Sequence, residues 1–156
     1  MKNKITIFLI LLCFLSISCG DRNIKAESDL FKCKSDVMID SDHVSYIKLT
    51  NYYERDDNYY EILPYSLKMM EEAKTGYDDF FTTYLKIKFD NEFDRDNILK
   101  LEKPERDFLL YILHEGALAD DISCKDVLID YYKRGIGVEK NMFKSDSIYK
   151  SAGYSR

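Results

Sequence analysis

The chain has 156 residues and a formal net charge of −5 at pH 7. It contains 13 Tyr and 9 Phe but only 6 Gly and 2 Pro, so aromatic side chains that fill a core are abundant and helix-breaking residues are scarce. Proteins that bind nucleic acid normally carry a basic stripe that displaces counterions, and no basic run of that kind occurs, so we do not expect a nucleic-acid partner.

The first residues have the pattern of a secretion signal. Lys2 and Lys4 make the start of the chain positively charged, and an apolar run follows from Ile5 to Ile17. This run is about 13 residues long, whereas a membrane-spanning helix needs roughly 20 residues and the apolar part of a secretion signal about 7–15. Residues 1–18 are therefore predicted to be a cleaved signal peptide and not a permanent span.

The sequence at the end of this signal, Leu15-Ser16-Ile17-Ser18-Cys19, resembles the lipobox of bacterial lipoproteins, in which a small residue precedes an invariant cysteine. Ser16 departs from the commonest pattern, which has Leu there. The resemblance implies cleavage before Cys19, diacylglycerol on its sulfur and a protein held by lipid in the cell envelope, on the periplasmic side of the outer membrane in a Gram-negative cell. The alternatives are an ordinary signal peptide that contains a cysteine and an uncleaved anchor.

The residues after the anchor are polar and have little periodicity. We expect residues 19–40 to form a flexible tether. Because Lys2 and Lys4 leave with the signal, the mature chain carries a charge near −7 and would attract a basic partner. Five apolar side chains could instead dock on the domain and shorten the tether: Leu30, Phe31, Val37, Met38 and Ile39.

From about Ser41 onward the apolar residues recur with helical period, which predicts one helical domain over residues 41–156. Residues 89–103 form a charged connection in its middle. The expected fold is all-α, with six helices in antiparallel pairs. Their spans are approximately 42–53, 63–74, 77–88, 104–119, 123–133 and 141–152.

The C-terminal part carries a recurring arrangement of small, aliphatic and aromatic residues. Its positions are Cys124, Leu128, Tyr132, Gly135, Gly137 and Val138, followed by Lys144. This pattern resembles the Sel-1-like repeat, a relative of the tetratricopeptide repeat, and is clearest over residues 108–152. The resemblance implies a short α-solenoid, with residues 41–103 assigned by analogy. Cys124 and Ser145 stand where the family has Ala, and Asp120 where it has a turn Gly. The alternative is an unrelated helical bundle.

A weaker internal match supports the repeat interpretation. At an offset of 47 residues (124 − 77), Tyr77 corresponds to Cys124, and Met69-Met70 corresponds to Gly116-Ala117. Small residues at such positions let paired helices approach closely.

The exported location permits a disulfide between Cys33 and Cys124. However, the packing position of Cys124 in the repeat favours a buried free thiol.

No set of residues typical of catalysis converges in the sequence. His43 and His114 are the only histidines, and we find no zinc-protease, nucleophile-elbow or phosphate-loop motif. Asp-Asp pairs at 56–57, 78–79 and 120–121 lie at turns or helix starts, where carboxylates favour the helix dipole. We therefore predict no catalytic residue, no metal, no cofactor and no enzymatic activity.

The expected function is that of a membrane-anchored binding module. Solenoid repeats present concave surfaces to proteins, and proteins with Sel-1-like repeats are generally adaptors. Tyr52, Tyr59 and Tyr131 are candidates for the recognition surface because tyrosine is favoured at binding hot spots, although they could equally pack in the core or in a groove. The alternatives are an immunity protein that neutralises a toxin delivered to the periplasm, and a structural lipoprotein of envelope assembly.

Overall fold

The structure is a computed structural model that describes residue 24 and residues 27–90 and 93–154. All regular elements within these residues are helical, which confirms the predicted all-α class. The predicted signal peptide, residues 1–18, and the predicted lipid-bearing Cys19 lie outside the described residues. In the described ranges there are seven α-helices: α1 (Glu27–Asp40), α2 (His43–Arg55), α3 (Leu63–Lys68), α4 (Tyr77–Phe89), α5 (Lys103–Leu118), α6 (Ile122–Arg134) and α7 (Met142–Ser151).

Where the structure describes the connections between these α-helices, it shows three shorter helical elements. Tyr59–Glu61 and Arg95–Lys100 are 3-10 helices, and Met69–Ala73 is a π-helical turn that continues α3. The charged connection predicted at 89–103 therefore contains a structured turn, and Ile98 on this turn is completely buried. Within the described part of the chain, no helix is long and apolar enough to cross a bilayer.

Side-chain caps and prolines set where most of the helices begin. Asp42 accepts a hydrogen bond from the Ser45 backbone N–H at 2.6 Å, and Asn141 accepts one from the Lys144 backbone N–H at 2.9 Å. Such caps satisfy backbone donors that have no partner within the helix. The prolines of α3 and α5 lie in the first turn, where the missing N–H costs nothing. The six predicted helices correspond to α2 through α7 with bounds that differ by a few residues, and the second of them, 63–74, covers α3 together with the π-helical turn.

Helix α1 corrects the predicted tether. It begins at Glu27, inside the stretch 19–40 that was expected to be flexible, and it packs on α2 and α3. Cys33 and Val37, one helical turn apart, are buried in this contact. The tether prediction is therefore wrong over residues 27–40, and the folded unit starts before residue 41.

The helices enclose two adjacent hydrophobic cores. The N-terminal core lies between α1, α2 and α3, and the C-terminal core lies between α4, α5 and α6. Met69 and Met70 follow each other in the π-helical turn, yet Met69 belongs to the N-terminal core and Met70 to the C-terminal core. The turn thus joins the two cores, and successive helices pack mainly on their neighbours in sequence.

Candidate functional site

The residues of the repeat motif form the packing and turns around α6. Cys124, Leu128 and Tyr132 are buried in the C-terminal core, and the Tyr132 hydroxyl lies 3.2 Å from His114 Nε2. Gly135 and Gly137 have φ angles of +79° and +66°, a conformation that strains residues with a β-carbon. Half-buried Val138 packs against the same core, and the Lys144 ammonium lies 5.2 Å from the centre of the Tyr132 ring. Most of these residues therefore stabilise the fold, and Lys144 is the one among them that is exposed.

Both cysteines of the described residues are buried free thiols. Cys33 lies in the N-terminal core and Cys124 in the C-terminal core, so the disulfide permitted by an exported location is not formed. Burial raises the pKa of the Cys124 thiol far above its ordinary value, because the thiolate would lose its hydration. Cys124 is therefore not a reactive nucleophile.

The three candidate tyrosines do not form one recognition surface. Tyr131 is only 1% exposed and donates a hydrogen bond of 2.6 Å to the Arg95 backbone oxygen, so its predicted role in recognition is wrong. Tyr52 and Tyr59 are half-buried against the N-terminal core. The Lys86 ammonium covers the Tyr59 ring at 5.0 Å from its centre. All three side chains are engaged within the fold.

The acidic pair Asp78 and Asp79 lies in the first turn of α4. Asp78 accepts hydrogen bonds of 3.0 and 2.9 Å from Arg95 Nη2. Burial raises the pKa of Asp78 to about 6 even though the Arg95 guanidinium opposes this shift, and burial also raises the pKa of Asp79. In the described ranges, no three His, Cys, Asp or Glu side chains come together in a group that could hold a metal ion. Asp78 therefore serves as the partner of Arg95 in the first turn of α4.

Among the described residues, a groove lies between the C-terminal end of α3, the start of α4 and the middle of α5. Its volume is about 440 Å³. Buried Met70, Tyr77 and Ile112 form an apolar floor, while Leu67 on α3 and Tyr111 on α5 are exposed. Three charged residues also line it: Glu71, Lys74 and Glu115.

The π-helical turn is one wall of this groove. A π-helical turn departs from the regular α-helical geometry and is frequent at functional sites. The segment then ends at Lys74, whose φ of +54° is in the left-handed region, and the Thr75 backbone N–H donates to the Met69 oxygen at 3.3 Å. This termination carries the chain directly into α4, so Met70 and Tyr77 both reach the groove floor.

Comparison with known proteins adds no relative: no family model, no curated protein and no solved structure matches this chain. The sequence alone does not predict this groove. Its two exposed apolar residues, Leu67 and Tyr111, lie 44 positions apart (111 − 67), and no local pattern connects them.

Proposed function

We propose that this protein is a lipid-anchored component of the cell envelope that binds another protein through its helical domain and performs no chemical reaction. The groove between α3, α4 and α5 is the observation that supports protein binding. Leu67 and Tyr111 are exposed beside an apolar floor, and tyrosine in such a setting is a favoured anchor of protein interfaces.

The partner's chemistry follows from the charges that line the groove. Glu71 and Glu115 contribute two carboxylates and Lys74 one ammonium, on a chain that is acidic overall. Complementary charge sets the register and association rate of an interface. We therefore propose a peptide segment that places an apolar side chain between Leu67 and Tyr111 and a Lys or Arg near the two glutamates.

We also propose that the domain is a short solenoid of the Sel-1-like type. Asp120, which stands where that family has a turn glycine, has the positive φ of +71° that such a turn requires. Gly116, in a family position for small residues, lies directly against Cys124 and Tyr77. These conformations support the repeat assignment of residues 108–152, and the remaining helices follow it by analogy.

The anchor is proposed from the lipobox resemblance at Cys19. Metabolic labelling with a fatty acid tests it in the full-length precursor. We expect the wild-type chain to incorporate the label and C19A to lose it and leave the membrane fraction. Equal labelling of the two chains would refute the anchor.

Two variants of α5 test the groove. In Y111S the tyrosine that projects at the groove is truncated, whereas L118S changes a residue on the same helix that is 82% exposed and does not line the groove. Both positions are exposed, so both variants are expected to keep the wild-type thermal midpoint. Loss of a hot-spot tyrosine costs about 2 kcal/mol or more of binding energy, which is about 30-fold in affinity.

The full-length tagged protein is cross-linked in cells, and captured proteins are quantified by mass spectrometry. We expect one partner to be recovered with wild type and L118S and to be depleted with Y111S. Equal recovery with both variants would contradict the groove as the binding site. A secreted toxin as the partner would make the chain an immunity protein, and an envelope component would make it a structural lipoprotein.

A further inference from the structure

Helix α1 has apolar residues on two faces. The inner face places Cys33 and Val37 in the N-terminal core. On the outer side Phe31 is 75% exposed, Ile39 is 71% exposed and Met38 is also exposed. At 100° per residue, these three side chains lie within about a third of the helix circumference. They form the outer stripe, defined as Phe31, Met38 and Ile39.

Single exposed apolar residues are common on soluble proteins, but here an aromatic and two aliphatic residues share one face of the same helix. None of the helices in the described part of the chain covers this stripe, because α1 packs on α2 and α3 through its other face. Exposed Lys32 follows Phe31 at one edge of the stripe, but α1 as a whole carries four carboxylates and two lysines. The attraction of this helix to a bilayer would therefore come from the apolar stripe and not from charge.

The length of chain before α1 identifies what covers the stripe. Glu27 is eight residues after Cys19 (27 − 19). An extended chain spans at most about 3.6 Å per residue, so the start of α1 lies within about 29 Å of the lipid-bearing sulfur. Of the helices in the described residues, α1 is nearest in sequence to Cys19. A lipid on Cys19 would therefore keep the start of α1 close to the bilayer surface.

We infer that the outer stripe of α1 inserts into the interfacial region of the membrane to which Cys19 is anchored. This inference rests on the proposed lipid anchor. The bilayer is the occupant because the short connection brings it to α1 in every molecule. The inserted stripe would hold the domain against the membrane in one orientation, whereas an acyl anchor on a free tether would let it rotate.

Fluorescence tests the inference directly, because the chain contains no Trp. The full-length lipidated protein is reconstituted into phosphatidylcholine–phosphatidylglycerol vesicles as F31W, and brominated lipids serve as short-range quenchers. We expect the emission of F31W to shift to shorter wavelength and to be strongly quenched. The matched control is F143W on α7, at a Phe that is 84% exposed, and we expect it to be unshifted and unquenched.

A second variant separates insertion from simple proximity. Adding I39E to F31W places a charge on the stripe without touching the core, and we expect it to abolish the blue shift while the protein still floats with the vesicles. Flotation with an unquenched F31W, or a shift that depends on protein density because copies pair, would overturn the inference and leave the anchor intact. Failure to float, with an unmodified N-terminus by mass spectrometry, would overturn both.

Discussion

Gly116 of α5 lies against the Sγ of Cys124 in α6 so closely that a β-carbon at position 116 would overlap the sulfur. The same β-carbon would lie 2.7 Å from Tyr77 Cβ, at the start of α4. Tyr77 and Cys124 occupy corresponding positions in the two copies of the internal sequence match. Gly116 therefore allows α4, α5 and α6 to meet. The two residues that it contacts, Tyr77 and Cys124, are the pair that the internal sequence match places in equivalent positions.

This contact predicts that G116V destabilises the domain by about 3 kcal/mol, since overpacking a filled core typically costs 1–3 kcal/mol and sometimes more. Urea unfolding measures the loss. L118V introduces the same residue at an exposed position of the same helix and is expected to change stability by less than about 0.5 kcal/mol. Removing the sulfur with C124A should reduce the cost of G116V, because the two residues touch. Equal stability of G116V and L118V would refute the close contact.

Gly137 supports a second prediction, on the backbone of the turn after α6. A β-carbon there would meet its nearest atoms, on Arg106 and Leu110, at 3.5 Å, which is ordinary contact. The cost of G137V therefore comes from the φ angle of +66° and is expected to be about 1–2 kcal/mol or more. K133A removes only a cation–π contact of 6.0 Å to Tyr149 and should leave the thermal midpoint nearly unchanged. Equal midpoints for the two variants would contradict the strained-turn argument.

The sequence predicted α2 through α7 because most of these helices bury a clear apolar side or have an identifiable start; α7, which buries Ser145 and exposes Phe143, was found through its Asn141 cap. Helix α1 was missed for a physical reason. Its apolar residues divide between the buried side, with Cys33 and Val37, and the exposed side, with Phe31 and Ile39. Two apolar sides produce no single stripe at helical period, so the segment resembled a tether.

The candidate site was harder to predict because burial and grooves depend on contacts that are distant in sequence. Tyr131 resembles Tyr52 and Tyr59 in sequence, since each belongs to a Tyr-Tyr pair. Tyr131 is nevertheless buried, because α6 packs on both α5 and α7 and has little free surface. The groove between Leu67 and Tyr111 depends on how the π-helical turn lies against α5, and no local pattern encodes that approach.

Val37 tests whether residues 27–40 belong to the folded unit. Its side chain is completely buried, so V37A should destabilise the protein by about 2 kcal/mol through lost burial and a residual cavity. The control is I39A, two residues later on the exposed side of α1, for which we expect less than about 0.5 kcal/mol. A flexible segment would make both changes neutral in urea unfolding, which is the result that would contradict the placement of α1.

Asp78 predicts a specific dependence of stability on pH. Its folded pKa of about 6 lies above the ordinary value of 3.8, because burial disfavours the carboxylate more than Arg95 favours it. The folded state therefore holds the proton more tightly than the unfolded state does. The stabilisation from this group is complete below pH 3.8 and is lost as the pH rises through 6. Over the whole titration range, a shift of this size corresponds to about 3 kcal/mol.

The variant D78N isolates this effect, because asparagine keeps an oxygen that can accept from Arg95 and does not titrate. The difference in unfolding free energy, wild type minus D78N, should fall by about 2 kcal/mol between about pH 4 and pH 7. His114 has the opposite influence: burial lowers its pKa below 6.5, so stability is lost as the pH falls below that value. Since His114 is present in both proteins, its contribution cancels in the difference. D29N, at an exposed carboxylate of α1, gives the matched control, and the same pH-dependent difference for D29N and D78N would show that burial of Asp78 is not the cause.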